Sequence, residues 1–287
     1  DDLAWTDGQF FEDEEVAINF VNAQSDLVFK NRFVESEDRW VVFPKSKDSS
    51  FTYGFIYIDA AAGLTLHYQG KFTIDKNGKF LAQPIIDSVK GIFKVRLKPG
   101  NTLVAFIPPS RFKELAIQDP PDWLTHYKND TTSPARLQRW GFYYNDFGMS
   151  EKALTYLEPG YKMAPDYKDM AVELAFAYNA LNQFEKAIPV LNKAIELTPD
   201  YWYLYKELSY ANLNLGKMQE AGDAALKGIS HAKANSFKAE MAFNMAYTYS
   251  EKRDKANFKK WADETLKWAA KGDQIYNSIK TLEARMN

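Results

Sequence analysis

Side chains that could carry out catalysis or bind a metal ion are few in this sequence, and their spacing is unfavourable. The three histidines, His67, His126 and His231, are scattered, and none has a second histidine or a carboxylate at ligand spacing. We expect each of them on the surface or packed in the interior. The chain has no cysteine, which excludes disulfides, thiol nucleophiles and cysteine-ligated zinc.

Other short patterns also fail as chemical sites. Asp75, Asn77 and Gly78 partly match a calcium loop, but the remaining oxygen ligands are missing at the required offsets, and a hairpin turn is favoured. The stretch 60–63 lacks the Gly-Lys-Ser/Thr pattern of a phosphate-binding loop. Neither Gly-x-Ser-x-Gly nor His-Glu-x-x-His occurs. The sequence therefore predicts no catalytic residue, no cofactor and no metal site.

Length and charge narrow the class of protein. The chain has 287 residues, enough for two domains, with 46% hydrophobic and 26% charged residues and a net charge of −2. Such a balance does not favour nucleic acid as a partner, and no apolar run approaches the roughly 18 residues of a membrane span. The first residues, Asp1 and Asp2, follow no methionine, which favours a cleaved secretory signal and export to the periplasm or exterior; a cytoplasmic location stays open.

The first half, residues 1–130, is predicted to be an antiparallel β-rich domain with some helix, of no assigned family. Phe51, Tyr53, Phe55 and Tyr57 alternate as in a half-buried strand, and Asn77-Gly78 indicates a hairpin. Strands near 92–97 and 103–107 are expected to continue a meander. The segment 14–33 is interpreted as a helix that covers one face of the sheet.

A polar stretch separates the halves. Residues 128–134 end in Ser133-Pro134, which predicts a helix cap followed by proline at the first helical position. We expect Trp123 and Tyr127, just before this linker, to pack the connection onto the first helices of the second half.

The second half repeats with a constant period of about 34 residues, a length typical of proteins built from repeated units. Ala153, Ala187 and Ala221 are separated by this period each time, as are Gly160, Ala194 and Gly228. Pro-Asp-Tyr occurs at 165–167 and again at 199–201. In such repeat proteins each unit buries its apolar face against the next.

This spacing resembles the tetratricopeptide repeat (TPR) family over residues 134–287. Unit one starts at Pro134, unit two at Lys168 and unit three at Trp202; a fourth, degenerate unit includes Ala242 and Tyr249. In unit four the loop at 251–257 is expected to be about four residues too long, and the tail from Asp273 is expected to form a capping helix. The resemblance implies a fold of about four helical hairpins in an all-α superhelix, so the whole chain is predicted to be an α+β two-domain protein.

The resemblance also implies a concave groove formed by the first helix of each unit. Its positions carry one recurring aromatic residue per unit and several further side chains: Gln138, Phe142, Asn145, Asp146, Val172, Phe176, Asn179, Tyr203, Lys206, Tyr210, Leu213, Phe243 and Tyr247. Aromatic rings suit recognition of an apolar or amphipathic segment. The alternative is that these rings pack inside the protein. Gln138 and Phe142 stand where the carboxylate-clamp subset of the family has Lys and Asn, so that clamp is not supported.

Two functions from different classes follow. The first is a non-enzymatic adaptor that binds a protein or peptide in the groove. If that complex is permanent, the chain is a subunit of a cell-envelope assembly. The second makes the β-rich domain a ligand-binding or hydrolytic module for a glycan or peptide, with the repeats used for targeting. Two convergent carboxylates or a metal in a deep pocket of the β domain would favour the second.

Overall fold

A computed structural model describes residues 6–7, 26–83 and 93–286. The chain divides into two compact units, residues 1–131 and 132–287. The first unit contains the strands and the second contains the helices.

The strands of the first unit form one mixed sheet. They are β1 (Thr6–Asp7), β2 (Asn31–Arg32), β3 (Arg39–Val42), β4 (Phe51–Asp59), β5 (Gly63–Ile74), β6 (Phe80–Gln83), β7 (Phe93–Arg96) and β8 (Leu103–Phe106). Their order is β1-β7-β5-β4-β3-β8-β2, and β6 also pairs with β5. All pairs are antiparallel except the short β1, which runs parallel to β7. The predicted antiparallel sheet is therefore confirmed.

The order of the strands differs from the predicted meander. β7 pairs with β5, whereas β8 pairs with β3, so that β5, β4 and β3 lie between β7 and β8 in the strand order. The turn after β7 therefore starts a crossover and not a hairpin. The hairpin at Asn77-Gly78 is present: Asp75 Oδ1 accepts from the backbone N–H of Asn77 at 2.8 Å and of Lys79 at 2.9 Å, between β5 and β6. Asp75 thus serves the turn.

One face of the sheet carries an aromatic core. Phe51, Tyr53, Phe55 and Tyr57 alternate along β4 and are all buried, but the strand is not half-buried as predicted, because Ile56 and Ile58 on its other face are buried as well. The covering side chains come largely from the segment that follows β8, including Leu115, Trp123, Leu124 and Tyr127, and also from Leu27 and Phe29.

One expectation for this unit was wrong. Of the predicted covering helix at 14–33, residues 14–25 lie outside the described residues; residues 26–32 contain no helix and include strand β2, and a short 3-10 turn starts at Phe33. Trp123 and Tyr127, which were expected to pack the connection onto the first helices of the second half, both have partners on the sheet. Trp123 stacks on His67 at 4.3 Å between ring centroids, and Tyr127 lies 4.7 Å from Tyr57.

The second unit is a run of helical hairpins. Its helices are α1 (Pro134–Asp146), α2 (Ser150–Met163), α3 (Met170–Ala180), α4 (Phe184–Leu197), α5 (Trp202–Asn214), α6 (Met218–His231), α7 (Asn235–Glu251), α8 (Lys255–Trp268) and α9 (Gln274–Met286). Ser133 caps α1 by accepting from the Arg136 N–H at 3.2 Å, as predicted. α9 packs on α7 and α8, where it covers the last hairpin.

Small residues explain how the hairpins close. A Cβ on Gly141 of α1 would lie 2.3 Å from Leu157 Cδ2 of α2, so only glycine permits this crossing. The predicted long loop in unit four is wrong, because residues 252–254 form a three-residue connection like 147–149 in unit one. The additional residues lengthen α7 instead, which has 17 residues against 13 in α5.

The direction of curvature follows from which helices meet. α1, α3, α5 and α7 each pack against the next odd-numbered helix, whereas successive even-numbered helices meet less closely. A stack bends toward the side on which its elements approach one another, so the odd-numbered helices form its inner side. We call their exposed surface the inner face.

Candidate partner-binding site

Aromatic rings are presented to solvent along the inner face. Phe142 of α1 is 41% exposed, Tyr210 of α5 is 41% exposed and Tyr247 of α7 is 48% exposed. Phe176, Tyr203 and Phe243 are half-buried on the same set of helices. Single exposed rings are ordinary on a protein surface, whereas exposed apolar side chains grouped on one face mark a place where a partner can dock.

Four of the predicted groove residues are buried, although one of them, Leu213, also lines a cavity. They are Asn145, Val172, Asn179 and Leu213. Their helical positions face the neighbouring inner helix, because the odd-numbered helices approach each other closely. Lys206 is also engaged: its Nζ lies 2.8 Å from Glu240 Oε1 and 5.1 Å from the centroid of Tyr203.

The two buried asparagines form matching bridges between units. Asn145 Nδ2 donates to the backbone oxygen of Glu173 at 2.9 Å and to its Oε2 at 2.9 Å. Asn179 Nδ2 donates to the backbone oxygen of Glu207 at 3.1 Å and to its Oε2 at 2.8 Å. Donor and acceptor both recur after one repeat period, so the first two interfaces are locked by the same polar contact. We call these two contacts the Asn–Glu bridges.

Glu173 and Glu207 were missed by the sequence reasoning. These two glutamates are also one repeat period apart, and a search for paired polar residues at that period would have found them. The family pattern specifies which positions carry small and aromatic residues. It specifies no charged position inside the helical stack.

Burial of these carboxylates changes their acidity. Burial raises the pKa of Glu173 to about 7; the hydrogen bond from Asn145 opposes this shift, and the nearby Asp169, Glu207 and Asp146 add to it. Burial likewise raises the pKa of Glu207, although the hydrogen bond from Asn179 and the charge of Lys206 oppose the shift. Acidic side chains thus cluster on the inner side of the first three units, and burial favours the protonated form of two of them, Glu173 and Glu207.

A cavity opens between α5 and α7, where the bridges stop. It has a volume of about 520 Å³ and is lined by Tyr210, Leu213, Asn214, Asn244, Tyr247 and Glu251, among others. Leu213 stands one repeat period after Asn179 and belongs to an apolar cluster. In the register that equates Tyr247 with Tyr210, the residue in place of Glu207 is Asn244, which lines the cavity together with Leu213. The third interface therefore has no Asn–Glu bridge at this position, although Lys206 and Glu240 form an ion pair elsewhere along it.

The remaining chemical candidates do not converge. Burial, with a smaller contribution from Lys94, lowers the pKa of His67 to about 4, and its ring is stacked on Trp123 inside the sheet unit. In residues 26–83 and 93–286, no group of three or more His, Asp or Glu side chains could hold a metal ion. Within the same ranges, no helix is both long and apolar enough to traverse a lipid bilayer.

Comparison with known proteins agrees with this geometry. The sequence profile of the tetratricopeptide repeat matches residues 146–229, and no curated protein sequence matches the chain. The second unit therefore contains tetratricopeptide repeats, and no family covers the first unit.

Several solved structures show partial similarity to this chain. The thermophilic TPR protein TTC0263 of Thermus thermophilus is 17% identical, with a TM-score of 0.46 over 56% of this chain and 87% of that one. MamA AMB-1 is 20% identical, with a TM-score of 0.43 over 51% and 84%. MamA from Desulfovibrio magneticus RS-1 is 15% identical, with a TM-score of 0.42 over 61% and 84%.

Proposed function

We propose that this chain is a non-enzymatic adaptor whose inner face binds a peptide segment of another protein. The observation that supports this most directly is the set of exposed rings, Phe142, Tyr210 and Tyr247, on helices that already share a curved surface. Binding energy in protein interfaces concentrates in a few aromatic anchors that lose water on contact. The repeat fold supplies the rigid surface on which such anchors act together.

The cavity between α5 and α7 provides a place for one side chain of the partner. Tyr210 and Tyr247 form two of its walls, and Leu213 contributes an apolar surface. Its volume of about 520 Å³ lies within the range of pockets that hold small ligands. We infer that a large apolar side chain of the partner is buried there.

A selection experiment tests the proposal. Random peptides displayed on phage are selected on the immobilised full chain, and the enriched peptides are synthesised and measured by fluorescence anisotropy. We expect the double variant Tyr210→Ala, Tyr247→Ala to bind at least about tenfold more weakly, because each ring contributes of the order of 1 kcal/mol or more at such a site.

The matched control is Leu226→Ala, which shortens an exposed side chain on the even-numbered α6. It should leave the affinity unchanged. All of these side chains are well exposed, so neither variant should shift the free energy of unfolding by more than about 0.5 kcal/mol. Equal affinities for the double variant and the wild type would refute the proposal.

Export and membership of a cell-envelope assembly remain predictions from the sequence. Fractionation of native cells, followed by detection of the chain in each fraction, measures the location. Recovery in the cytosolic fraction alone would contradict the exported location.

A further inference from the structure

We propose that the segment bound by the inner face carries an arginine or lysine, whose cation binds beside Asp169 and Glu173 near the ring of Tyr203. This inference rests on the proposed function, since it specifies the chemistry of the same partner. It starts from the distribution of charge along the inner helices.

Three carboxylates lie together at the junction of units one and two. Asp146 at the end of α1, Asp169 at the start of α3 and Glu173 within α3 influence one another electrostatically. Among the described residues, no basic side chain forms an ion pair with any of the three. Like charges gathered without a counter-ion cost free energy, which a bound cation would recover.

The protein itself shows how a cation is held further along the same face. Lys206 places its ammonium on Glu240 at 2.8 Å and over the ring of Tyr203 at 5.1 Å. The equivalent positions one and two repeat periods before Lys206 are Val172 and Gln138, which are uncharged. At this position of the repeat, the chain therefore provides its own cation for the junction of units three and four and none for the earlier junctions.

A buried acceptor lies next to the unpaired carboxylates. Asn145 is 7% exposed, and its amide nitrogen is bonded to Glu173. Its Oδ1 is buried and has no hydrogen-bond partner among the described residues, and the same is true of Asn179 Oδ1 in the second bridge. A buried acceptor without a donor is uncommon in native proteins. An incoming guanidinium or ammonium group brings several donors to the edge of this cluster.

Two tyrosine rings are influenced by these carboxylates, and Lys206 already lies over one of them, that of Tyr203. Burial raises the pKa of the Tyr201 and Tyr203 hydroxyls, and the charge of Glu173 adds to both shifts. The charge of Asp169 also contributes at Tyr201. These rings stay neutral and present negative faces to a cation. Apolar residues should flank the basic one, because exposed aromatic rings lie on α1 and α5, the helices to either side.

The test uses the peptides selected on the full chain and a charge-neutral double variant, Asp169→Asn with Glu173→Gln. Glutamine keeps an acceptor for Asn145. Asparagine tolerates the left-handed backbone of position 169, where φ is 61°. Both substitutions therefore preserve the fold, which circular dichroism checks. The matched control is Glu196→Gln, which removes an exposed carboxylate from the even-numbered α4.

We expect the enriched peptides to contain arginine or lysine flanked by apolar residues. Their affinity should fall at least about tenfold in the double variant, stay unchanged in the control, and weaken as salt is added. Enriched peptides without a basic residue, or equal binding by the double variant, would overturn the inference.

The outcomes separate this inference from the proposed function. Uncharged or acidic peptides that still lose affinity with Tyr210→Ala, Tyr247→Ala would refute the basic partner and leave the inner face as a binding site. A selection without any peptide sensitive to that variant would refute both. A second copy of the chain as occupant, seen as self-association in sedimentation that the same variant abolishes, would also overturn the basic segment.

Discussion

The substitution Glu173→Gln should stabilise the repeat unit at alkaline pH and have no effect at acid pH. The pKa of Glu173 rises from its ordinary 4.5 to about 7, which corresponds to about 2.5 pKa units. At about 1.36 kcal/mol per unit, this shift is equivalent to about 3 kcal/mol. Partial solvent contact of the side chain reduces the expected effect to about 2 kcal/mol.

The direction follows from proton binding. The folded state holds the proton on Glu173 more tightly than the unfolded chain, so it binds more protons between pH 4.5 and about 7. This contribution to stability is fully present below pH 4.5 and is lost as the pH rises through about 7. Glutamine resembles the protonated form of the glutamate at every pH, and the variant therefore keeps this contribution to stability as the pH rises.

Urea unfolding followed by circular dichroism of the helices measures the difference in free energy between variant and wild type at pH 4, 6 and 8. We expect the difference to grow from near zero to about 2 kcal/mol in favour of the variant. Glu196→Gln serves as the control and should show no trend. A difference that is constant with pH, or a variant less stable than the wild type at pH 8, would refute the electrostatic reasoning.

Further predictions concern the sheet unit and the packing of the repeats. The pKa of His67 is lowered from 6.5 to about 4, so its contribution to stability is present above pH 6.5 and is lost as the pH falls toward 4. His67→Phe should therefore flatten the pH dependence of the free energy of unfolding measured in urea titrations. An unchanged pH dependence would contradict this prediction. Gly141→Ala should destabilise the protein by about 1–3 kcal/mol, because the new Cβ would collide with α2. Gly222→Ala should stabilise it by up to about 1 kcal/mol, because its Cβ would lie 3.4 Å from the nearest atom, Trp261 Cζ2. Thermal unfolding of both variants measures the two effects. Asn179→Leu should cost about 2 kcal/mol because it removes the amide donor to the buried carboxylate of Glu207, which then keeps the hydrogen bond from Tyr203. Adding Glu207→Met should restore most of that loss, and a double-mutant cycle without coupling would contradict the bridge.

The repeat half was predictable from sequence because its signal is local and repeated. Alanine and glycine recur where helices cross closely, and the constant repeat period fixes the register of the first three units, so their helical hairpins and the cap at Ser133 follow directly. The length of α7 did not follow, since the extra residues could lengthen either the loop or the helix. Packing of α7 against α9 favours the longer helix.

The sheet half was predictable only in part. Alternation along β4 identified a strand and its buried face, because that pattern lies within one segment. The pairing of β8 with β3 joins strands that are far apart in the sequence, and no local pattern specifies it. Likewise, the cover of the aromatic face comes from the chain after β8, whose 3-10 turns lack the periodicity of a helix.

The family pattern predicts which residues lie on the groove helices but not which of their side chains are exposed to solvent. Asn145 and Phe142 share one helix and one predicted surface, yet Asn145 is buried in a bridge and Phe142 is exposed. The difference depends on how closely the next inner helix approaches, which the spacing of small residues does not report. Exposed rings are therefore the better guide to partner contact than membership of the groove.

The end of the Asn–Glu bridges coincides with the opening of the cavity, and the two observations have one physical cause. A bridge draws neighbouring inner helices to hydrogen-bond distance and fills the space between them with polar atoms. Where Leu213 and Asn244 take the place of that pair, the apolar side chain of Leu213 offers the amide of Asn244 no hydrogen-bond partner, and both residues line the cavity. The loss of a bridge in one interface thus coincides with a concave surface bounded by Tyr210, Leu213 and Tyr247 that a partner side chain can enter, while the two bridged interfaces keep the carboxylates that attract its charge.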